Sequence, residues 1–386
     1  MKLIYNVNVY YDELHSVRNG AVAFEEKVIR IVKPDEVEQW KKKADELIDG
    51  LGYDLLPGYI DVHVHGGYGY DFLEEPEKCL EAFSENALRE GCTAYLASLV
   101  CASQEKLINA MRKYTDLKQQ GAKCLGIHME GPFINPEQKA VMDPENIRLP
   151  DPEEFRAMIS ASNGNIRTMT IAPEMNGAME LIEYGTKNGV NMMLGHSNAT
   201  SQQAIKAQEI GAFGITHLYN AMSQHSHRDP GLVTAALLDD SLVCELICDG
   251  FHVAPDVIRA TIKHIGKRIA LITDASLMRG LPDGDYVFST YEVHKEGIKA
   301  QVKTTGRIAG SVVGMDDVCR NVCVFTDCSL NDIVRMASMN PAMIAGCQSS
   351  KGRLKKGYDA DMILLDDNMN VMSTYVSGKC LYMKKS

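Results

Sequence analysis

Six side chains able to bind a metal stand at the ends of apolar runs in this 386-residue chain: His63, His65, Glu130, His196, His217 and Asp274. Successive side chains of a strand alternate faces, so His63 and His65 point the same way while Val62 and Val64 point the other. Two glycines follow at once. His128-Met-Glu130-Gly-Pro132, Gly195-His196-Ser197, Thr216-His217-Leu218, Asp249-Gly-Phe-His252 and Thr273-Asp274-Ala275 repeat the arrangement. Any one of these alone reads as a polar residue satisfied inside a core. Four histidines and two carboxylates converging on one point read as a metal centre. Imidazole and carboxylate without thiolate suit zinc, iron(II), manganese or cobalt, and the spacing does not choose among them. Six ligands can hold two ions about 3.5–4 Å apart with a bridging carboxylate, for which Glu130 is placed, or they can serve a single site. A bound divalent ion makes hydroxide available near neutral pH. Asp274 can accept a proton from that water and return it to a leaving amine. His252 can polarise a carbonyl oxygen. This set suits hydrolysis of an amide, a cyclic amide or an aminoheterocycle without an organic cofactor.

Eight apolar, β-prone runs must position these groups: 60–65, 93–100, 125–130, 166–172, 190–196, 213–218, 242–249 and 269–274. Helical patterns lie between them at 77–90, 104–119, 152–161, 178–187, 201–210 and 255–265. Near-continuous apolar strands alternating with helices predict a parallel sheet covered on both faces. Eight units fit a closed (β/α)8 TIM barrel, in which the C-terminal strand ends share one mouth. An open doubly wound sheet would carry a glycine-rich phosphate turn after its first strand, and Gly66-Gly-Tyr-Gly69 does not have that spacing. A loop-rich segment is expected over 275–307, then helices at 314–325 and 330–345. Short strands at 2–9, 20–24, 27–32, 47–56, 360–365 and 372–376 and a helical patch at 35–44 complete the reading. They predict a small β-sandwich domain from 1–56 with 352–386, beside a barrel domain over 57–351.

The net charge of −11 argues against a nucleic-acid surface or an anionic membrane as partner. Eleven cysteines include no Cys-x-x-Cys pair, and many sit in apolar runs, which reads as reduced thiols in the cytoplasm. The N-terminus turns polar too early for a signal peptide, and no apolar run approaches a membrane span.

The chain resembles the amidohydrolase superfamily and, within it, the N-acetylglucosamine-6-phosphate deacetylase family, over essentially its whole length. Pro57-Gly-Tyr-Ile-Asp-Val-His-Val-His-Gly66, Gly126-Ile-His-Met-Glu-Gly-Pro-Phe-Ile-Asn135, Leu194-Gly-His-Ser-Asn-Ala199 and Thr216-His-Leu-Tyr-Asn-Ala-Met222 carry the resemblance. So do Arg228-Asp-Pro-Gly231, Asp249-Gly-Phe-His252, Thr273-Asp-Ala275 and Leu354-Lys-Lys-Gly-Tyr-Asp-Ala-Asp361. It implies a barrel of the metal-dependent hydrolase type that cleaves N-acetylglucosamine 6-phosphate to glucosamine 6-phosphate and acetate. Glu130, His196 and His217 would hold the principal ion, zinc before the other metals, and His63 and His65 a second. Asp274 would be the acid/base, and His252 would touch the substrate carbonyl and sugar. Asn220, Ala221 and Arg228 match phosphate contacts, with Arg228 reaching across a homodimer. Val141, Ile308, Ala309 and Gly310 match further substrate contacts, largely through backbone. The fourth run, Ile166-Arg-Thr-Met-Thr-Ile-Ala-Pro173, lacks the lysine that many two-metal relatives use as a bridge, which favours Glu130 in that role.

Two departures stand out. Where the family has Lys-Gly-x-His-Asp-Pro, this chain has Lys139-Ala-Val-Met-Asp-Pro144, so Met142 removes a polar sugar contact. Gln224, His225 and Ser226 also differ from the usual Pro, Leu and His. They leave the metal chemistry untouched and the sugar epimer open. N-acetylgalactosamine 6-phosphate or a cyclic amide is the alternative substrate. A catalytically silent scaffold is disfavoured, because all six ligand and acid/base residues are retained.

Overall fold

The computed structural model describes residues 1–115 and 120–385. Eight strands, Tyr59–Val64, Cys92–Leu99, Lys123–Glu130, Ile166–Ile171, Asn191–Leu194, Gly214–Ile215, Val243–Ile247 and Ile269–Ile272, pair in chain order. Every pairing is parallel. They are called the first to eighth barrel strands below. The first and eighth meet at a seam, where the Asp274 N–H donates to the His63 carbonyl at 2.9 Å and Thr273 Oγ1 donates to Asp61 Oδ2 at 2.6 Å. The ring therefore closes through a side chain as well as backbone.

Outer helices form because apolar residues recur on one helical face and terminal residues cap the free N–H groups. In Pro152–Ala161, Asp151 accepts from the N–H groups of Glu153 and Glu154, and Phe155 and Met158 are buried. Of the helix read over 104–119, Gln104–Arg112 forms, and positions 116–119 lie outside the described residues. A short helix not foreseen, Leu232–Leu238, bridges the sixth and seventh strands. Its seven apolar or small residues carry no polar face to betray a period. The final helical run, Leu330–Val334, a π-turn at Arg335–Met339 and Asn340–Ile344, covers the seam. There Ala342 and Ile344 share a buried cluster with Ile60 and Val62, which leaves the opposite face of the first strand to His63.

Both chain ends build one continuous eight-stranded sheet of Lys2–Tyr10, Ser16–Phe24, Val28–Val32, Glu46–Asp49, Asp54–Pro57, Met362–Leu365, Val371–Val376 and Lys379–Met383. The strand read over 47–56 is two strands, broken where Leu51 and Gly52 take φ of 56° and 80°. Lys2–Tyr5 pairs with the earlier of them and Asn8–Val9 with the later.

The segment over 275–307 corrects the sequence reading of a loop. Gly284–Phe288, Tyr291–Glu296 and Lys299–Val302 form a three-stranded antiparallel sheet. Only one face is buried, with Phe288, Val293, Ala300 and Val302 against Met278 and Ala309. Polar residues on the other face, with turns at 289–290 and 297–298, masked the alternation.

Candidate active site

The C-terminal strand ends deliver two ligand groups: His63, His65 and Asp274 form one, and Glu130, His196 and His217 the other. Glu130 lies between them. Its Oε1 is 3.0 Å from His196 Nε2, 3.1 Å from His217 Nε2 and 3.4 Å from His63 Nε2, and its Oε2 is 3.3 Å from His65 Nε2. Asp274 Oδ1 stands 3.1 Å from His65 Nε2 and 3.5 Å from His63 Nε2.

The donor set fits a divalent ion. His63 Nδ1 faces Glu245 Oε2 at 2.9 Å, and His196 Nδ1 faces the Gln138 carbonyl at 2.7 Å. An acceptor at Nδ1 fixes the proton there and turns a bare Nε2 to the centre. His196 Nε2 and His217 Nε2 then lie 3.0 Å apart, and those of His63 and His65 3.2 Å apart. Ring nitrogens at such separations, buried beside two carboxylates, suit a cation among them. Burial alone would raise the Glu130 carboxyl, but the imidazoles led by His196 hold it well below the carboxylate range. Asp274 is likewise pushed up by burial and pulled down by His63 and His65, to about 2.

Three of these residues sit on strained backbone. His196, His217 and Asp274 have φ of 49°, 29° and 49°, in the left-handed region that β-carbon sterics disfavour. The twist turns each side chain from the strand end into the mouth. Below lies a buried polar layer. His128 bonds Ser98 Oγ and Thr170 Oγ1 at 2.9 Å each, and Thr170 bonds Thr216 at 2.7 Å. Burial first, and then the neighbouring His63, drive the His128 pKa well below the usual imidazole value.

Glu245 was missed by sequence reasoning. It sits inside an apolar strand, and its alternation with Cys244 and Leu246 was the available signal. Fully buried, it holds His63 Nδ1 and accepts from the His217 N–H at 3.3 Å. Loss of such an outer partner costs about 10- to 100-fold in metal affinity or activity. Glu245→Gln is expected to show that loss in metal titration and kcat/KM together.

A cavity of about 370 Å³ opens over the centre. His65, Glu130, His196, His217, His252 and Asp274 line it, with Val141, Asn220, Ala221, Ile308 and Gly310. Thus most of the expected site residues meet in one place. His63 is fully buried behind them. Ala309 faces the apolar cluster under the three-stranded sheet, and its N–H is taken by the Ala300 carbonyl at 3.0 Å. Arg228 is exposed on the loop after the sixth strand and does not line its own chain's cavity. His252 Nδ1 lies 2.6 Å from Asp249 Oδ2, which also accepts backbone N–H bonds through Oδ1. Burial lowers the His252 pKa, but the Asp249 bond outweighs it and the net shift is upward.

Met142 packs with Cys101 and Ile134 and is 5 % exposed. With Val100, Val141 and Phe288 it forms the wall shared with a neighbouring cavity of about 460 Å³. Gln138, Phe288 and Arg307 also line the metal cavity and were not foreseen. Arg307 directly precedes Ile308-Ala309-Gly310, and that adjacency was the only sequence signal.

A closed parallel barrel with imidazoles and carboxylates converging at its C-terminal mouth defines the class of metal-dependent barrel hydrolases. The chain belongs to the amidohydrolase family, whose model matches residues 55–381. It is similar to an N-acetylglucosamine-6-phosphate deacetylase of Bacillus subtilis, 34% identical over 380 residues, 96% of this chain and 94% of the relative. It is also similar to an N-acetylgalactosamine-6-phosphate deacetylase of Escherichia coli, 36% identical over 329 residues, 84% of this chain and 87% of the relative. Among solved structures, a mutant N-acetyl-D-glucosamine-6-phosphate deacetylase of Mycobacterium smegmatis, in complex with N-acetyl-D-glucosamine-6-phosphate, superposes with a TM-score of 0.89 at 29% identity. That match covers 98% of this chain and 99% of the other. Among the described residues, no helix is long and apolar enough to cross a membrane.

Proposed function

We propose that the chain hydrolyses the N-acetyl amide of N-acetylglucosamine 6-phosphate, releasing glucosamine 6-phosphate and acetate. The observation that carries this reading is Glu130 between two ligand groups, with Asp274 beside the same cavity. The deacetylase relatives at both sequence and structure level support the substrate. Glu130, His196 and His217 would hold a divalent ion, zinc first, which when bound would supply a water of lowered pKa and Lewis acidity. His63 and His65 would hold a second ion. Asp274 takes the proton of the attacking water and delivers it to the departing amine nitrogen, the general base becoming the general acid. His252, oriented by Asp249, donates to the amide oxygen as negative charge develops there. Asn220 and Ala221, with Val141, Ile308 and Gly310, align the sugar phosphate. The barrel over 57–351 carries the chemistry, and the unit of 1–56 with 352–386 buttresses it. The chain works in the cytoplasm, where its cysteines, none paired among the described residues, stay reduced.

Arg228, exposed in its own chain, serves the neighbouring site of a homodimer. Arg228→Ala is expected to raise KM for the phosphorylated sugar about 10-fold or more with metal content unchanged, the scale of a charge-assisted hydrogen bond. Mixing this variant with Asp274→Asn chains restores a fraction of sites with the unchanged KM, because one hybrid site then contains both intact residues. Mixtures whose KM stays at the raised value of the Arg228→Ala parent would place Arg228 in its own chain's site.

The test of the reading is acetate release from N-acetylglucosamine 6-phosphate, its galactosamine epimer and the unphosphorylated sugar, with zinc, iron(II) or manganese restored. Preference for the first compound is expected. Preference for the epimer would follow the apolar Met142 in place of a polar sugar contact.

A further inference from the structure

We propose that Arg307 binds the anionic group of the substrate from within the chain that holds the metal ligands. The inference rests on the sugar-phosphate reading above and goes beyond it by adding a cation in the same chain. Among the described residues lining the cavity over the metal centre, Arg307 is the one arginine or lysine. Its guanidinium is uncommitted. It donates from Nη1 to the Ala140 carbonyl at 3.3 Å, and among the described residues no carboxylate lies within ion-pair distance of it. The neighbouring arginines differ. Arg148 is bonded through Nε to Glu154 at 2.8 Å, and Arg279 is buried against Glu90 and Asp61. An exposed arginine without a carboxylate, in a chain of net charge −11, is a cation left open beside a cavity.

Chemistry selects the ligand. Guanidinium presents five N–H donors in a planar fork that matches phosphate oxygens, and the Ala140 carbonyl uses only one of them. The carboxylates of Glu130 and Asp274 face the imidazoles, Glu137 accepts from Asn198 at 2.7 Å, and none of the three pairs with Arg307. A phosphate carries nearly two negative charges at neutral pH. Asn220 and Ala221 line the same cavity.

A competing role is purely mechanical. The 3.2 Å bond from Lys139 Nζ to Tyr291 Oη ties the loop over 136–146 to the three-stranded sheet, and the Arg307 bond to Ala140 ties it to the segment after that sheet. The experiment separates the two. Arg307→Met and Arg307→Lys are compared with the unchanged chain on N-acetylglucosamine 6-phosphate and on unphosphorylated N-acetylglucosamine, with metal content and thermal midpoint recorded. Arg307→Met is expected to raise KM for the phosphorylated sugar about 10- to 100-fold, the worth of charge-assisted hydrogen bonds, with kcat within about twofold. Inhibition by inorganic phosphate weakens in parallel, kcat/KM for the unphosphorylated sugar holds, and Arg307→Lys recovers part of the loss. Equal losses on both sugars, or none on either, would overturn the proposal and leave Arg307 a latch or a bystander. An unchanged chain with no preference for the phosphorylated sugar would overturn the substrate reading itself, and this control is read before any variant.

Discussion

Asp274→Asn is expected to keep its bound metal and lose turnover by about 10³- to 10⁴-fold, the upper range for a positioned acid/base. The amide is nearly isosteric with the carboxylate but cannot take a proton at neutral pH. The neighbourhood explains why the exchange spares the fold. Asp274 Oδ1 faces His65 and His63 at 3.1 and 3.5 Å, and its backbone closes the barrel seam through bonds that the side chain does not enter. The loss should fall on kcat, since the proton transfers occur in the transition state and not in substrate binding. Measuring kcat and metal content on one preparation decides the matter. Near-normal turnover would remove Asp274 from the mechanism, and loss of metal with loss of turnover would make it a ligand first.

Glu130→Gln is expected to fail differently, losing metal and activity together. This carboxylate alone reaches all four histidines, at 3.0 to 3.4 Å. An amide there offers one neutral oxygen where two charged ones bridged the groups. The buried imidazoles lose the anion that offsets a bound cation. Activity falls by at least the 10²- to 10³-fold of a single oriented electrostatic contact. Added zinc or manganese recovers little, because the ligand and not the supply is missing. Full activity restored by excess metal would show that His63, His65 and Asp274 sustain the chemistry without the bridge.

The centre was legible because metal ligands come from strand ends, where period-two alternation and a following glycine or proline reveal which face a side chain takes. His63, His65 and Glu130 are each flanked on both sides by an apolar residue or glycine, so each is conspicuous. Glu245 has the same pattern but sits in mid-strand, where a lone carboxylate has no visible partner; His63 lies 182 residues away in sequence. The three-stranded sheet was illegible for another reason. Half of it faces solvent, so its apolar content is too low to stand out, and its strands are divided by turn residues. Arg307, on the loop beside it, has no pattern at all. Its place in the cavity depends on how that sheet docks, a tertiary fact that no local spacing encodes.

The left-handed backbone at His196, His217 and Asp274 sets heat tolerance against function. Each non-glycine residue in that region costs about 1–3 kcal/mol. Glycine at any of the three positions would release that strain while deleting a ligand or the acid/base, and asparagine tolerates the conformation better than most residues. A laboratory selection for thermal endurance alone should therefore exchange these three positions early. A lineage freed from the need for the reaction would erode in the same order, its chemistry disappearing well before its barrel.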